Sequence, residues 1–105
     1  MSWEITPKEL SERLGKGDKL QLVDVRTAEE LAIASLGAIH IPLSDLVMRY
    51  RELDPDKETV LICHHGVRSA QATMLLAQLC FEKVHNLKVG IDRWSTEVDP
   101  NVPRY

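Results

Sequence analysis

The chain has 105 residues, of which 44% are hydrophobic and 28% charged, and its formal net charge is −3. That length fits one compact domain over residues 1–105, and the acidic balance argues against a nucleic-acid binder, which needs a basic face for phosphate. No apolar run reaches the length of a membrane span, residues Met1 to Leu10 carry Glu4, Lys8 and Glu9 in place of a signal peptide's apolar stretch, and two cysteines are too few for a disulfide scaffold, so a cytoplasmic protein with reduced thiols is expected.

Taken in chain order, a short edge strand is expected at Ile5. Thr6-Pro7-Lys8-Glu9 supplies an N-cap, a first-turn proline and a capping-box glutamate for a helix to about Leu14, ended by Gly15. Leu20 to Val25 reads as a strand. Thr27 and Glu30 form a second capping box, for a helix through about Ala34. Ala38 to Ile41 is a further strand, and Ser44 is placed to cap a helix through about Leu53, with Pro55 beyond its end. Val60 to Cys63 reads as a buried strand. A helix from about Ser69 to Leu79 carries apolar residues around most of its circumference, which predicts deep packing, and Cys80 at its end reads as a buried structural thiol. Val84 to Leu87 is the last strand. Gly90 to Trp94 turns into a short helix, and the segment Asp99 to Tyr105, with two prolines, is expected to be extended. Strands rich in Val, Ile and Leu that alternate with helices predict an α/β fold with a mostly parallel sheet covered on both faces.

The chemistry is concentrated in Val60 to Ser69, where a buried strand ends at Cys63, a short glycine-containing loop follows, and a helix begins. Ligands of open parallel sheets bind at the carboxyl ends of the strands. A helix N-terminus brings unpaired N–H groups and partial positive charge, and successive loop amides make an anion cradle. With Arg68 adding a cation, this setting favours a thiolate on Cys63 over a thiol. The cradle suits a thiolate, a persulfide or a bound oxyanion.

Cys63-His64-His65-Gly66-Val67-Arg68-Ser69 resembles the C-x-x-G-x-R-S active-site loop of the rhodanese family. Leu22-Val23-Asp24-Val25-Arg26 with Glu29-Glu30, Gly37-Ala38-Ile39-His40-Ile41-Pro42, Val84-His85-Asn86-Leu87 and Gly90-Ile91-Asp92-Arg93-Trp94 are similar to the family's other marks. Three positions depart from them: Ile33-Ala34-Ser35-Leu36 stands where G-H-I-x is usual, Val89 replaces the first of two glycines, and Cys80 replaces a helix-ending glycine. The resemblance implies a rhodanese-like fold, a five-stranded mostly parallel sheet with helices on both faces. It implies a sulfurtransferase without metal or organic cofactor, moving sulfane sulfur from a small anionic donor such as thiosulfate to a thiol, cyanide or protein acceptor. By position, Cys63 is the sulfur carrier and Arg68 its catalytic partner. His64, His65, Gly66, Val67, Arg68 and Ser69 form the substrate cradle, with Arg68 toward the anionic donor. Asp24 and Arg26 are expected to brace the neighbouring strand and helix.

Other readings are weaker on physical grounds. Cys63, His64 and His65 are adjacent in sequence, whereas zinc ligands favour spaced pairs such as C-x₂-C, so no metal is expected. A phosphatase of similar fold uses a C-x5-R loop; four residues separate Cys63 from Arg68 here, and the smaller ring suits one sulfur better than a phosphoryl group. An arsenate reductase needs a further accessible thiol, and Cys80 lies a helix away. A catalytically silent rhodanese-like interaction module is the remaining alternative, against which Cys63 and Arg68 are both retained. Arg49 and Arg51 read as a solvated helix face, Trp3 as a cover for the sheet edge and Trp94 as packing.

Overall fold

The computed structural model describes residues 3–104, and its strands form one parallel sheet in the order β1-β5-β4-β2-β3. β1 is Glu4–Ile5, β2 Gln21–Asp24, β3 Ile39–His40, β4 Thr59–Ile62 and β5 Val84–Leu87. β4 is central, with β2 on one side and β5 on the other, and all four of its residues are buried. The period of two sends its side chains to opposite faces. Leu61 and Cys63 join a cluster with Val23, Val25, Leu46, Ala72 and Leu76, while Val60 and Ile62 join Ile5, Leu10, Leu87 and Ile91. The sheet therefore has a core on each face, as the continuous apolar strands predicted.

The helices are α1 (Pro7–Gly15), α2 (Ala28–Ile33), α3 (Leu46–Arg49), α4 (Val67–Gln78) and α5 (Gly90–Glu97). Both capping boxes form: Thr6 and Glu9 cap α1, and Thr27 and Glu30 cap α2, each through reciprocal side-chain and backbone bonds. The third helix differs from the sequence reading. Ser44 does not cap it; the segment is a 3-10 turn at Leu43–Asp45, the single turn of α3, and a second 3-10 turn at Tyr50–Glu52. Pro42 sets the entry, and Leu46 and Leu53 anchor the two ends in the core. Its Arg49 donates to Glu52 at 2.9 and 3.1 Å on the surface. The segment after α5 begins with a turn and is not extended throughout, because the Val102 N–H donates to the Asp99 carbonyl at 3.1 Å and that of Asn101 to Asp99 Oδ1 at 3.0 Å; Tyr105 lies outside the described residues. Among the described residues no helix is long and apolar enough to cross a membrane.

Two expectations about α4 are corrected. It starts at Val67, with Gly66 in the cap position, and it buries one face only, through Ser69, Ala72, Thr73 and Leu76, while Met74 is 60% exposed. Small residues around the circumference raised its apparent hydrophobicity without requiring burial. Met74, Ala77, Thr73, Val84 and the half-exposed Trp3 line a shallow groove at the sheet edge, and the Asn86 N–H donates to the Trp3 carbonyl at 2.7 Å. Cys80 is exposed and not buried. It adopts a left-handed φ of 72° and turns the chain so that the Phe81 N–H reaches the Leu76 carbonyl at 3.1 Å. This is a Schellman cap, whose turning residue points outward while Leu76 and Phe81 pack inside.

Cys80 and Val89, at φ 72° and 58°, are the non-glycine residues with positive φ among those described. A Cβ in that region costs about 1–2 kcal/mol, and glycine's extra freedom in the unfolded chain costs about 0.5–1 kcal/mol. The first effect is the larger. Cys80→Gly and Val89→Gly are each expected to raise stability by about 0.5–1 kcal/mol, visible as a higher urea midpoint at unchanged slope.

At the amino ends of the strands, Arg13 donates to both oxygens of Glu58 at 2.6 and 2.7 Å, and to Asp18 at 2.8 Å. His85 Nε2 meets Glu58 at 2.6 Å. The guanidinium and, secondarily, the imidazole pull the Glu58 carboxyl down to about 2 against the resistance of partial burial. A carboxyl lowered in the fold stabilises fully above its unfolded value and loses that contribution as pH falls through the folded one. Glu58→Gln is expected to lower stability by about 1–2 kcal/mol at pH 7 and by progressively less between pH 4.5 and 2, in paired urea titrations.

Candidate active site

Cys63 follows β4 directly, at the carboxyl end of the sheet between β2 and β5, and is 1% exposed. The loop His64 to Gly66 then turns into α4. Gly66 makes that turn at φ 92°, and a Cβ there would lie 3.1 Å from the Val89 nitrogen. The geometry brings two donors onto the sulfur: the Gly66 N–H at 3.0 Å and the Ser69 hydroxyl at 3.3 Å. The N-terminal turn of α4 thus faces Cys63 with its partial positive charge.

The outer side of the same loop is held by α5. The Ile91 N–H donates to the Cys63 carbonyl at 2.8 Å and the Asp92 N–H to the His64 carbonyl at 3.1 Å. Gly90 lets the backbones come this close, since a Cβ on it would sit 2.1 Å from the Cys63 oxygen. Sequence reasoning placed a turn at Gly90 and missed this function.

Arg68 does not stand open toward the sulfur. Its two terminal nitrogens form a fork with Glu30 at 2.5 and 2.7 Å. Glu30 also accepts from the Thr27 N–H and hydroxyl at 3.3 Å, so the residue read as a helix cap is also the ionic partner of Arg68 after the Cys63 loop. α2 is in turn fixed to β2 by a fully buried pair: Arg26 Nη2 donates to Asp24 at 2.6 Å and to the Ala34 carbonyl at 2.6 Å. Asp24 and Arg26 brace strand and helix, as their place in the sequence suggested, and through Glu30 the brace reaches the loop.

His64 is half-buried and His65 exposed, their rings 3.9 Å apart. His65 Nδ1 lies 4.0 Å from Asp92, whose carboxyl is held below the usual range mainly by Arg104, which donates at 3.0 and 3.3 Å, and further by the two histidines. Val67 is 67% exposed on the rim. Ser69 is fully buried and also meets the Asn86 side-chain oxygen, while Asn86 Nδ2 donates to the Gly66 carbonyl at 3.1 Å. The sequence reads Asn86 only as one residue of an apolar strand. The available signal was its polarity at a position predicted to be buried, where an amide needs partners.

Residues 6–97 match the family description "Rhodanese-like domain". The chain is 36% identical over 93 residues to a sulfurtransferase of Allochromatium vinosum, covering 88% of this chain and 87% of that one. Its fold superposes on a rhodanese-related protein of Thermoplasma volcanium with a TM-score of 0.81 at 34% identity, covering 90% and 92% of the two chains. It also superposes on a human single-domain sulfurtransferase with a TM-score of 0.80 at 26% identity, covering 92% and 98%.

Proposed function

The chain belongs to the rhodanese-like family, and we propose that its rhodanese-type sulfur transfer runs through a persulfide on Cys63, loaded from thiosulfate or a similar anionic donor. The observation that carries this reading is the convergence of the Gly66 N–H and the Ser69 hydroxyl on a buried sulfur at the start of α4. Donors fixed around a sulfur stabilise negative charge there without reorganising during the reaction.

The thiolate attacks the sulfane sulfur of thiosulfate. A new S–S bond forms to Cys63, the old S–S bond breaks, and sulfite leaves with its electron pair. A thiolate, cyanide or a protein thiol then attacks the outer sulfur, and the electron pair of the cysteine–sulfur bond returns to Cys63. The cycle is balanced and needs no outside oxidant or reductant. His64, His65, Gly66, Val67 and Ser69 form the wall and cradle, and the reading places the protein in the reducing cytoplasm, where Cys63 stays free. The test is mass spectrometry of the Cys63 peptide after thiosulfate, with sulfite measured in parallel. One added sulfur per chain and stoichiometric sulfite are expected. No added sulfur from thiosulfate, polysulfide or a small-molecule persulfide would sink the reading and favour the silent interaction module.

Arg68 contributes a cation whose charge Glu30 partly cancels. Arg68→Ala strands that carboxylate beside the loop, and is expected to raise KM for thiosulfate about tenfold or more, with less effect on a neutral persulfide donor. Glu30→Gln keeps the helix cap and unmasks the guanidinium, so KM for thiosulfate should fall. Steady-state kinetics with both donors on both variants checks the opposite signs; equal losses with both donors would make Arg68 a support of loop shape.

A further inference from the structure

Ser69 carries one hydroxyl proton and faces two acceptors. Asn86 Nδ2 donates to the Gly66 carbonyl at 3.1 Å. That bond fixes which way the amide points, since an amide oxygen cannot bond a carbonyl oxygen. The Asn86 oxygen therefore faces Ser69 Oγ and can only accept from it. On its other side Ser69 Oγ lies 3.3 Å from Cys63 Sγ, which as a thiolate can also only accept. All three side chains are buried, Ser69 at 0%, Cys63 at 1% and Asn86 at 3% exposure, so water cannot supply a second proton cheaply. Thr73 helps hold the Ser69 backbone by donating to its carbonyl at 2.7 Å, and turning the hydroxyl about its C–O bond is enough to pass the proton between the two acceptors.

We propose that Asn86 is a positioning residue of the sulfur-transfer reaction: its side-chain oxygen competes with Cys63 for the single Ser69 hydroxyl proton, so Ser69 is a two-position donor. The inference rests on the persulfide reading for its purpose. With Cys63 as a thiolate, the hydroxyl turns to the sulfur and the Asn86 oxygen goes without its donor. Once Cys63 carries an outer sulfur, the negative charge moves one bond outward and Sγ becomes a poor acceptor. The hydroxyl then returns to Asn86. The pair thus lowers the free energy of the loaded state relative to the empty thiolate, with no side chain displaced.

A residue that only holds the loop in shape predicts the opposite sign. Losing it would disperse the donors around the sulfur and make the thiolate harder to form. Removing a competitor makes the thiolate easier to form. Asn86→Leu keeps the volume and removes the competing oxygen. The Gly66 carbonyl still accepts from the Ala70 N–H at 3.2 Å, so no acceptor is orphaned on that side.

The experiment measures the pH dependence of Cys63 alkylation by iodoacetamide, on a Cys80→Ser background so that one thiol reports. Asn86→Leu is expected to move the half-maximal pH down by about half a unit to one unit, and Ser69→Ala to move it up by about one unit, the size of one hydrogen bond to a charged group. In the double variant, Asn86→Leu should add nothing to Ser69→Ala, since its effect passes through that hydroxyl. An unchanged or raised midpoint in Asn86→Leu would overturn the proposal, as would an effect that persists without Ser69. Should Asn86→Leu fail to fold, the smaller Asn86→Ala serves: it also removes the competing oxygen, so its midpoint must fall, and one that does not overturns the proposal. The alkylation profile needs no sulfur donor. Failure of the wild type to take up sulfur would therefore remove the persulfide reading, while the alkylation result still decides whether Asn86 competes.

Discussion

Replacing Cys63 by serine is expected to lower sulfur transfer by about a thousandfold or more while leaving the fold in place, the scale of loss seen when a nucleophile is removed from a site whose other parts remain. The substitution is close to isosteric. The Gly66 N–H and the Ser69 hydroxyl, now 3.0 and 3.3 Å from the sulfur, can donate to an alcohol oxygen in its place, so no buried polar group is orphaned. What is lost is chemical: an alcohol is a far weaker nucleophile at neutral pH than a thiolate and has no stable persulfide analogue. Thiosulfate turnover and a urea midpoint on the same preparation separate the two effects. Substantial turnover in Cys63→Ser would end the assignment. Cys80→Ser should keep most activity, because α4 has 12 residues, and a helix of that length separates its ends by about 18 Å. Its exposed thiol also makes it the natural site for non-specific modification.

The parts of this protein legible in its sequence are those governed by local rules. Both capping boxes form because Thr-x-x-Glu satisfies its orphan donors within four residues. The parallel sheet follows from apolar strands spaced by helices, and the place of Cys63 follows from a strand ending at a loop and a helix. What escaped the sequence depends on residues distant along the chain. Glu30 lies 38 positions from Arg68, and its visible role as a cap hid the second one. Asn86 and Ser69 are 17 positions apart and meet only because β5 lies beside β4. The sequence reads Cys80 as buried, from its position after an apolar helix. A left-handed cap residue turned its side chain outward here, and the available signal was that Cys80 stands where the family has a helix-ending glycine. Val89, in place of the first of two glycines, keeps a left-handed backbone in the same way. In both cases tertiary packing holds a residue where local propensity would not put it.

Gly90→Ala is expected to be the most damaging single methyl in the protein. Gly90 has a φ of 58°, but so do other glycines lie at positive φ: Gly37 at 74° and Gly17 at 86°, each with open space where a Cβ would go. Alanine at Gly37 or Gly17 meets only the backbone penalty, about 1 kcal/mol. At Gly90 the Cβ would lie 2.1 Å from the Cys63 oxygen, 2.5 Å from the His64 oxygen and 2.7 Å from the His64 carbonyl carbon. All three are backbone atoms, so no side-chain rotation relieves the clash. Either α5 or the active loop must move by about an ångström. Movement breaks the bonds from the Ile91 and Asp92 amides to the Cys63 and His64 carbonyls, at 2.8 and 3.1 Å. Overpacking alone costs about 1–3 kcal/mol, and two buried backbone bonds add about 1 kcal/mol each. With the same backbone penalty included, a loss of about 4–6 kcal/mol is expected for Gly90→Ala, against about 1 kcal/mol for Gly37→Ala, with both read from urea unfolding. Activity separates the two further. Those carbonyl bonds orient the peptide groups around Cys63, so the fraction of Gly90→Ala that stays folded should still transfer sulfur at least tenfold more slowly, whereas folded Gly37→Ala should match wild type. Equal stability losses in the two variants would show that backbone conformation, and not the approach of α5 to the loop, is what Gly90 provides.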